Sequence, residues 1–147
     1  MAYITNADIE ERLGSATYVQ LTDDDGDGQA DEGIADEARL GAEGEVNSYL
    51  ARRHQTPVDV TVHVDLAGLL ASFTLDLVEY RLRSRRPPIP QETVDRYSRA
   101  IQWLRDVADG SLELPSTTAV ASNTSHGMTA RAIGEERILS RAELESH

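Results

Sequence analysis

The segment from Val64 to about Ser84 constrains the fold more than any other stretch of the chain. Its apolar residues recur every three or four positions and cover most of a helix circumference: Leu66, Leu69, Leu70, Phe73, Leu77, Val78, Tyr80 and Leu82. A helix that is apolar nearly all round must be surrounded by other helices. Burying one such Leu or Phe stabilises a fold by roughly 1.5–3 kcal/mol, so we expect this segment to dominate the core.

Helical signals on both sides of this segment indicate an all-α fold. The predicted segments are residues 5–13 with Thr5 or Asn6 as cap, 15–21 with Ser15 as cap, 34–54, and 90–110. The second can be a helix or a strand, and residues 58–64 alternate as a short extended piece would. Gly41 and Gly44 weaken the third helix but would let another helix approach closely. We therefore expect about five helices around a central apolar helix at about 64–84.

The composition changes after Gly110. At 147 residues the chain is long enough for one domain and a tail, and residues 111–147 are poor in large apolar side chains. We predict a helical domain at 1–110 and a C-terminal tail at 111–147 that is flexible or becomes ordered on assembly. Within the tail, Ile138 and Leu139 lie between Arg137 and Arg141. This small apolar island is a candidate anchor on a neighbouring subunit.

Charge and cysteine content exclude several classes of function. The net charge is −12, and residues 1–50 hold thirteen acids against two arginines. A chain this acidic is not expected to bind a specific nucleic-acid sequence. Cysteine is absent, which excludes disulfides and thiolate chemistry. No apolar run is long enough to span a membrane and no signal peptide opens the chain, so we expect a soluble protein made in the cytoplasm.

Four arginines close the apolar segment: Arg81, Arg83, Arg85 and Arg86. Cations at this position complement the negative end of a helix dipole. The same side chains are candidates for contact with phosphate or with another subunit.

Residues 22–32 form an acidic loop that resembles a shortened calcium loop. Asp23, Asp25 and Asp27 alternate, and Gly28 follows where such a loop turns sharply. Position twelve, the bidentate Glu of an EF-hand, is Ile34 here. The predicted ligands are the side chains of Asp23, Asp25, Asp27 and Glu32, the carbonyl of Gln29, and Asp31 directly or through water. The alternative is a solvated acidic turn, because Asp-Gly pairs favour turns with or without a metal. We expect a structural Ca²⁺ ion.

No catalytic arrangement emerges from the sequence. The four histidines show no zinc-ligand spacing, and no phosphate-binding glycine motif is present. The carboxylates that could serve as acid and base lie in the acidic loop, where metal binding explains them better. We therefore expect a protein that is not an enzyme.

An ordered set of motifs resembles a family of small proteins from Mu-like phages and prophages. The matching pieces are residues 1–5, 20–32, 49–54 with Pro57 after them, 80–83 and 97–110, with a weaker echo at 137–141. The resemblance implies a helical head-tail connector, or adaptor, in the virion neck. Such connectors form oligomeric rings, usually dodecamers, between the portal protein and the tail or stopper protein, and they assemble in the host cytoplasm. The alternative reading is a calcium-dependent protein-binding module.

Overall fold

The computed structural model describes residues 2–114 of the chain. These residues form five helices: α1 (Asn6–Leu13), α2 (Ser15–Thr22), α3 (Glu32–Leu50), α4 (Val64–Ser84) and α5 (Gln91–Asp109). The described part of the chain contains no β-strand, so the all-α prediction is confirmed for it. None of the five helices has the length and hydropathy needed to cross a membrane.

Local capping signals set the ends of the first two helices. The Thr5 hydroxyl accepts from the Asp8 N–H and the Asp8 carboxylate accepts from the Thr5 N–H, which is a capping box at the start of α1. Gly14 ends α1 and directly precedes α2. Our prediction that Ser15 caps α2 was wrong. Ser15 is the first helical residue, and its hydroxyl donates to the Glu10 carboxylate at 2.6 Å.

Two predictions about the connection between α3 and α4 were wrong. The third helix ends at Leu50 instead of His54, because residues 51–53 continue as tight turns in which Arg53 N–H donates to the Leu50 carbonyl. The predicted extended piece at 58–64 is a turn followed at once by α4. The Asp59 carboxylate accepts from both the N–H and the hydroxyl of Thr61, and this side-chain bonding replaces an extended conformation.

Helix α4 contacts each of the other four helices, and α3, α4 and α5 also pack against one another. Its fully buried residues include Leu70, Leu77 and Leu82. We predicted a helix that is apolar nearly all round, but its buried surface also carries acids and part of its apolar surface is exposed. Asp76 and Glu79 are buried on it, whereas Val64 is 70% exposed. The acids are tolerated because arginines from three helices surround them.

Two of the three glycines in α3, Gly41 and Gly44, have different surroundings. A Cβ atom at Gly41 would lie 2.9 Å from Nη1 of Arg81, whereas a Cβ atom at Gly44 would meet nothing within 4 Å. Gly41 therefore makes room for an arginine side chain of α4, and Gly44 faces open space.

Candidate metal centre

The acidic loop joins α2 to α3 and gathers three of the predicted ligands. One carboxylate oxygen from each of Asp23, Asp25 and Asp27 lies within 4.8 Å of the other two. Asp23 is half-buried and the other two are exposed. The alternating spacing seen in the sequence thus brings three carboxylates together at one point.

Two glycines let the backbone wrap around Asp23. Gly26 and Gly28 have φ angles of +79° and +82°, in the left-handed region that favours glycine. The N–H of Gly26 donates to Oδ1 of Asp23 at 2.6 Å, and that of Gly28 donates to Oδ2 at 2.9 Å. The sharp turn expected at Gly28 is present, and a second one at Gly26 accompanies it.

The other two carboxylates are held by their own turns. Asp25 accepts from the N–H of Asp27 at 3.1 Å, and Asp27 accepts from the N–H of Gln29 at 2.8 Å. Each is a side-chain turn in which an Asp bonds the backbone two residues later. The loop is therefore built from side-chain to backbone hydrogen bonds around the three acids.

Asp31 and Glu32 lie outside this cluster. The Asp31 carboxylate accepts from the N–H of Asp24 at 2.9 Å, and Glu32 is the first residue of α3. Gln29 uses its N–H within the loop. The structure thus brings together three of the six predicted ligands, and the complete ligand set stays a prediction.

The loop shifts the pKa values of Asp25 and Asp23 in opposite directions. The hydrogen bond from Asp27 lowers the pKa of Asp25, but the charges of Asp27, Asp31 and Asp23, together with desolvation, outweigh it and raise that pKa overall. Desolvation raises the pKa of Asp23, but the hydrogen bonds from Gly26 and Gly28 lower it overall. Converging carboxylate oxygens that repel one another suit a hard cation such as Ca²⁺, which takes oxygen ligands.

Arg85 and Arg86 fasten the acidic loop to the end of α4. Arg85 donates to the Asp24 carboxylate and to the Leu21 carbonyl, and Arg86 donates to the Asp23 carbonyl at 2.6 Å. We call these contacts the loop clamp. The hydrogen bond from Arg85 is the main reason why the pKa of Asp24 lies below its ordinary value.

The other two arginines of the predicted cluster also pair within the chain. Arg81 lies 2.8 Å from Glu45 of α3, and Arg83 lies 2.9 Å from Glu79 one turn earlier. All four arginines that we considered for phosphate or subunit contact thus have partners inside the domain.

Sequence reasoning missed a buried charge network centred on Glu79. This carboxylate accepts from Arg83, Arg96 and Thr93 at 2.9, 3.3 and 3.2 Å, and Arg12 lies 3.6 Å away. The side chain is only 5% exposed. A signal was available, because two acids spaced three apart on an otherwise apolar helix must be paired when buried. Arg83 lies on the same helix one turn after Glu79, so the sequence could indicate it, whereas the other partners come from α1 and α5 and only the fold reveals them.

The predicted tail anchor, Arg137, Ile138, Leu139 and Arg141, lies outside the described residues. It stays a prediction.

No curated protein has a sequence that matches the chain. A family model described as Bacteriophage Mu, Gp36 matches residues 3–132, which include the whole helical domain and the acidic loop. Because this match spans most of the chain, the protein belongs to the bacteriophage Mu Gp36 family.

Proposed function

We propose that the protein is a head-tail connector that forms a ring between the portal and the tail or stopper protein of a tailed phage or prophage. Membership of a phage Mu family carries this proposal. The motifs described above add the resemblance to connectors, and the all-helical architecture agrees with it. In this proposal the protein is structural and has no catalytic activity.

Exposed apolar side chains support a role in assembly. Leu40 is 60% exposed on α3, and Val62 is 69% exposed beside the exposed Val64 at the start of α4. These residues lie on two different elements of the domain. In a ring, each subunit contacts two neighbours through two different surfaces. Apolar positions on two elements of the domain can therefore both be covered.

The charge balance suits a ring around DNA. A net charge of −12 per subunit would give a lumen that repels the phosphate backbone and lets DNA slide. Many of the arginines already pair with acids of the same subunit, in the loop clamp and in the Glu79 network. The resemblance to connectors implies that this ring lies in the virion neck and assembles in the host cytoplasm. The acidic charge argues against recognition of a nucleic-acid sequence.

Calcium has a structural role in this proposal. Asp23, Asp25 and Asp27 would hold the ion, with Gln29, Asp31 and Glu32 completing the predicted set. The bound ion supplies positive charge that cancels the repulsion among the carboxylates. It would fix the joint between α2 and α3, next to the loop clamp.

The test uses the purified protein and the portal protein of the same phage. Native mass spectrometry or light scattering is expected to show oligomers, usually twelvefold in connectors, alone or once the portal is added. A protein that stays monomeric in both conditions contradicts the proposal.

The three convergent carboxylates favour a second candidate, a calcium-dependent protein-binding module without catalytic activity. The two candidates differ in what a chelator does. A connector whose calcium is structural keeps its portal contact below the melting temperature, whereas a calcium-dependent module releases its partner when calcium is removed.

A further inference from the structure

An open groove of about 500 Å³ lies between the N-terminal segment with α1 and the first half of α4. Its floor is apolar and is formed by Ile4, Ala67, Gly68, Ala71 and Leu75. Asp8 and Glu11 lie at its edge. None of these residues belongs to the candidate metal centre.

The α4 side of the groove is apolar and partly open. Gly68, Ala71 and Leu75 recur at helical spacing, with Gly68 exposed and the other two half-buried. A Cβ atom at Gly68 would meet nothing within 4 Å. The small residues in the middle of this face leave depth for side chains from elsewhere.

The opposite wall is held in place by hydrogen bonds. The Tyr3 N–H donates to Glu43 at 2.9 Å, and its hydroxyl donates to Asn47 at 2.6 Å and accepts from the Val58 N–H at 2.9 Å. These contacts fix the backbone next to Ile4. A groove with both walls fixed is formed before any occupant binds, which reduces the entropic cost of binding.

The lining of the groove also carries negative charge, from Glu11 and from Asp8, which takes part in the capping box of α1. Arg12 also lines the groove, but its guanidinium lies 2.6 Å from Asp76 and 3.6 Å from Glu79, so its charge is already balanced. Glu11 is exposed on α1. An occupant that fits this groove combines a short apolar stretch with flanking positive charges.

Residues 137–141 of the same chain have this composition, with Glu135 and Glu136 directly before them and Glu143 after them. Ile138 and Leu139 are flanked by Arg137 and Arg141. The twenty-two residues from 115 to 136 connect this segment to the last described residue, Leu114. Fully extended, they span roughly 70–80 Å. That is several times the radius of gyration of about 13 Å expected for a domain of this size.

We propose that the groove between α1 and α4 binds residues 137–141, with Ile138 and Leu139 on the apolar floor and the arginines toward Asp8 and Glu11. This contact adds to the assembly role proposed above, because it specifies the surface that receives the tail anchor. The proposal does not require a ring, because it concerns one contact between two parts of this chain. The segment lies beyond residue 132, where the family match ends.

Disulfide trapping in the full-length protein tests the proposal, because the natural chain has no cysteine. The test variant combines Gly68→Cys in the groove with Ser140→Cys in the segment. The control combines Gly44→Cys with Ser140→Cys. Gly44 is also a helical glycine whose Cβ position is open, but it lies on α3 outside the groove. Circular dichroism melting verifies that both variants fold.

We expect the cross-link at position 68 to form with at least about fivefold higher yield than at position 44, because docking raises the effective concentration of the thiol. Ile138→Asp with Leu139→Asp in the test variant should reduce the yield to the control level. Peptide mapping and gel mobility then show whether the segment comes from the same chain or a neighbouring copy. Equal yields at the two positions, or a yield that the aspartates leave unchanged, overturn the proposal. Portal binding is measured separately on the natural protein. Failure of the connector proposal can therefore be distinguished from failure of the docking proposal.

Discussion

Arg12 of α1 and Asp76 of α4 form an ion pair in which Nη2 lies 2.6 Å from Oδ1. The same guanidinium lies 3.6 Å from Glu79, which in turn accepts from Arg83 and Arg96. Three helices are thus joined by one buried cluster of charges. Glu79 is its most buried member, at 5% exposed, whereas the three arginines around it are 26–28% exposed.

Replacing Glu79 is therefore expected to be strongly destabilising. Glu79→Ala removes the carboxylate that three arginines share, although Arg12 keeps Asp76 and Arg96 keeps Glu92. Because the arginines are also partly exposed, we expect the free energy of unfolding to fall by about 3 kcal/mol, the lower end of the range for a broken buried ion pair. Urea denaturation measures this quantity. Glu92→Ala is the matched control, because Glu92 also pairs with Arg96 but is 77% exposed. Its cost should be about 0.5 kcal/mol or less. Similar costs for the two variants would show that the network does not hold the helices together.

The loop clamp predicts a pH dependence that originates at Asp24. Because the hydrogen bond from Arg85 holds the pKa of Asp24 below its ordinary value, the carboxylate stabilises the fold when it is ionised. This contribution is fully present above the unfolded-state pKa of about 3.9 and is lost as the pH falls through the folded-state pKa. The stability difference between the natural protein and Asp24→Asn should be constant near neutral pH and disappear on acidification.

Carboxyl-carbon NMR titration measures the pKa of Asp24 directly. In Arg85→Gln this pKa should rise toward its ordinary value, with Arg86 still 3.4 Å from the carboxylate. A pKa that is the same with and without Arg85 would contradict the loop clamp.

The glycines of α3 provide a paired test of packing. Gly44→Ala removes a poor helix former where a Cβ atom meets open space, so we expect about 0.5–1 kcal/mol of added stability. Gly41→Ala gains the same helix propensity but pushes the Arg81 guanidinium away from its place beside Glu45. Its gain should be smaller or absent. Thermal melting compares the two, and an equal gain would mean that Arg81 moves aside without cost.

Calcium is expected to stabilise the folded protein by mass action. At a calcium concentration of one hundred times Kd, binding to the folded form alone adds about 2.7 kcal/mol. A melting scan with calcium and then with chelator measures this effect. Asp27→Asn should abolish the shift in melting temperature because the charge is lost. Its amide oxygen can still accept from the Gln29 N–H, so the turn itself is retained.

Glu37→Gln is a suitable control for the calcium experiment, since Glu37 is exposed on α3. Asp36 is unsuitable because its carboxylate accepts from Asn6 and Arg39. The control should retain the calcium shift. Equal melting temperatures with calcium and with chelator in the natural protein would leave only the solvated acidic turn.

The sequence predicted two helix ends that depend on local chemistry, although the cap that it placed at Ser15 was wrong. Thr5 and Asp8 form a capping box at one end of α1, and Gly110, with a φ angle of +82°, ends α5. These signals lie within a few residues of the end that they set. The predicted end at His54 failed because apolar spacing alone does not show where a helix gives way to turns.

The candidate site was predictable to the extent that it is local. The acidic loop closes on itself through bonds between residues two to seven apart, so its composition revealed the convergence of Asp23, Asp25 and Asp27. The loop clamp joins residues 61 or more positions apart. The Arg12–Asp76 pair spans 64 positions. Such contacts depend on how the helices cross, and periodicity does not specify a crossing.

Cryo-electron microscopy of purified particles of the phage that encodes the chain tests the connector role most directly. The connector proposal predicts a ring of five-helix domains between the portal and the tail, with the α2–α3 loop beside the end of α4 in every copy. Particles without this ring in the neck, or in which peptide mass spectrometry does not detect the protein, would contradict it.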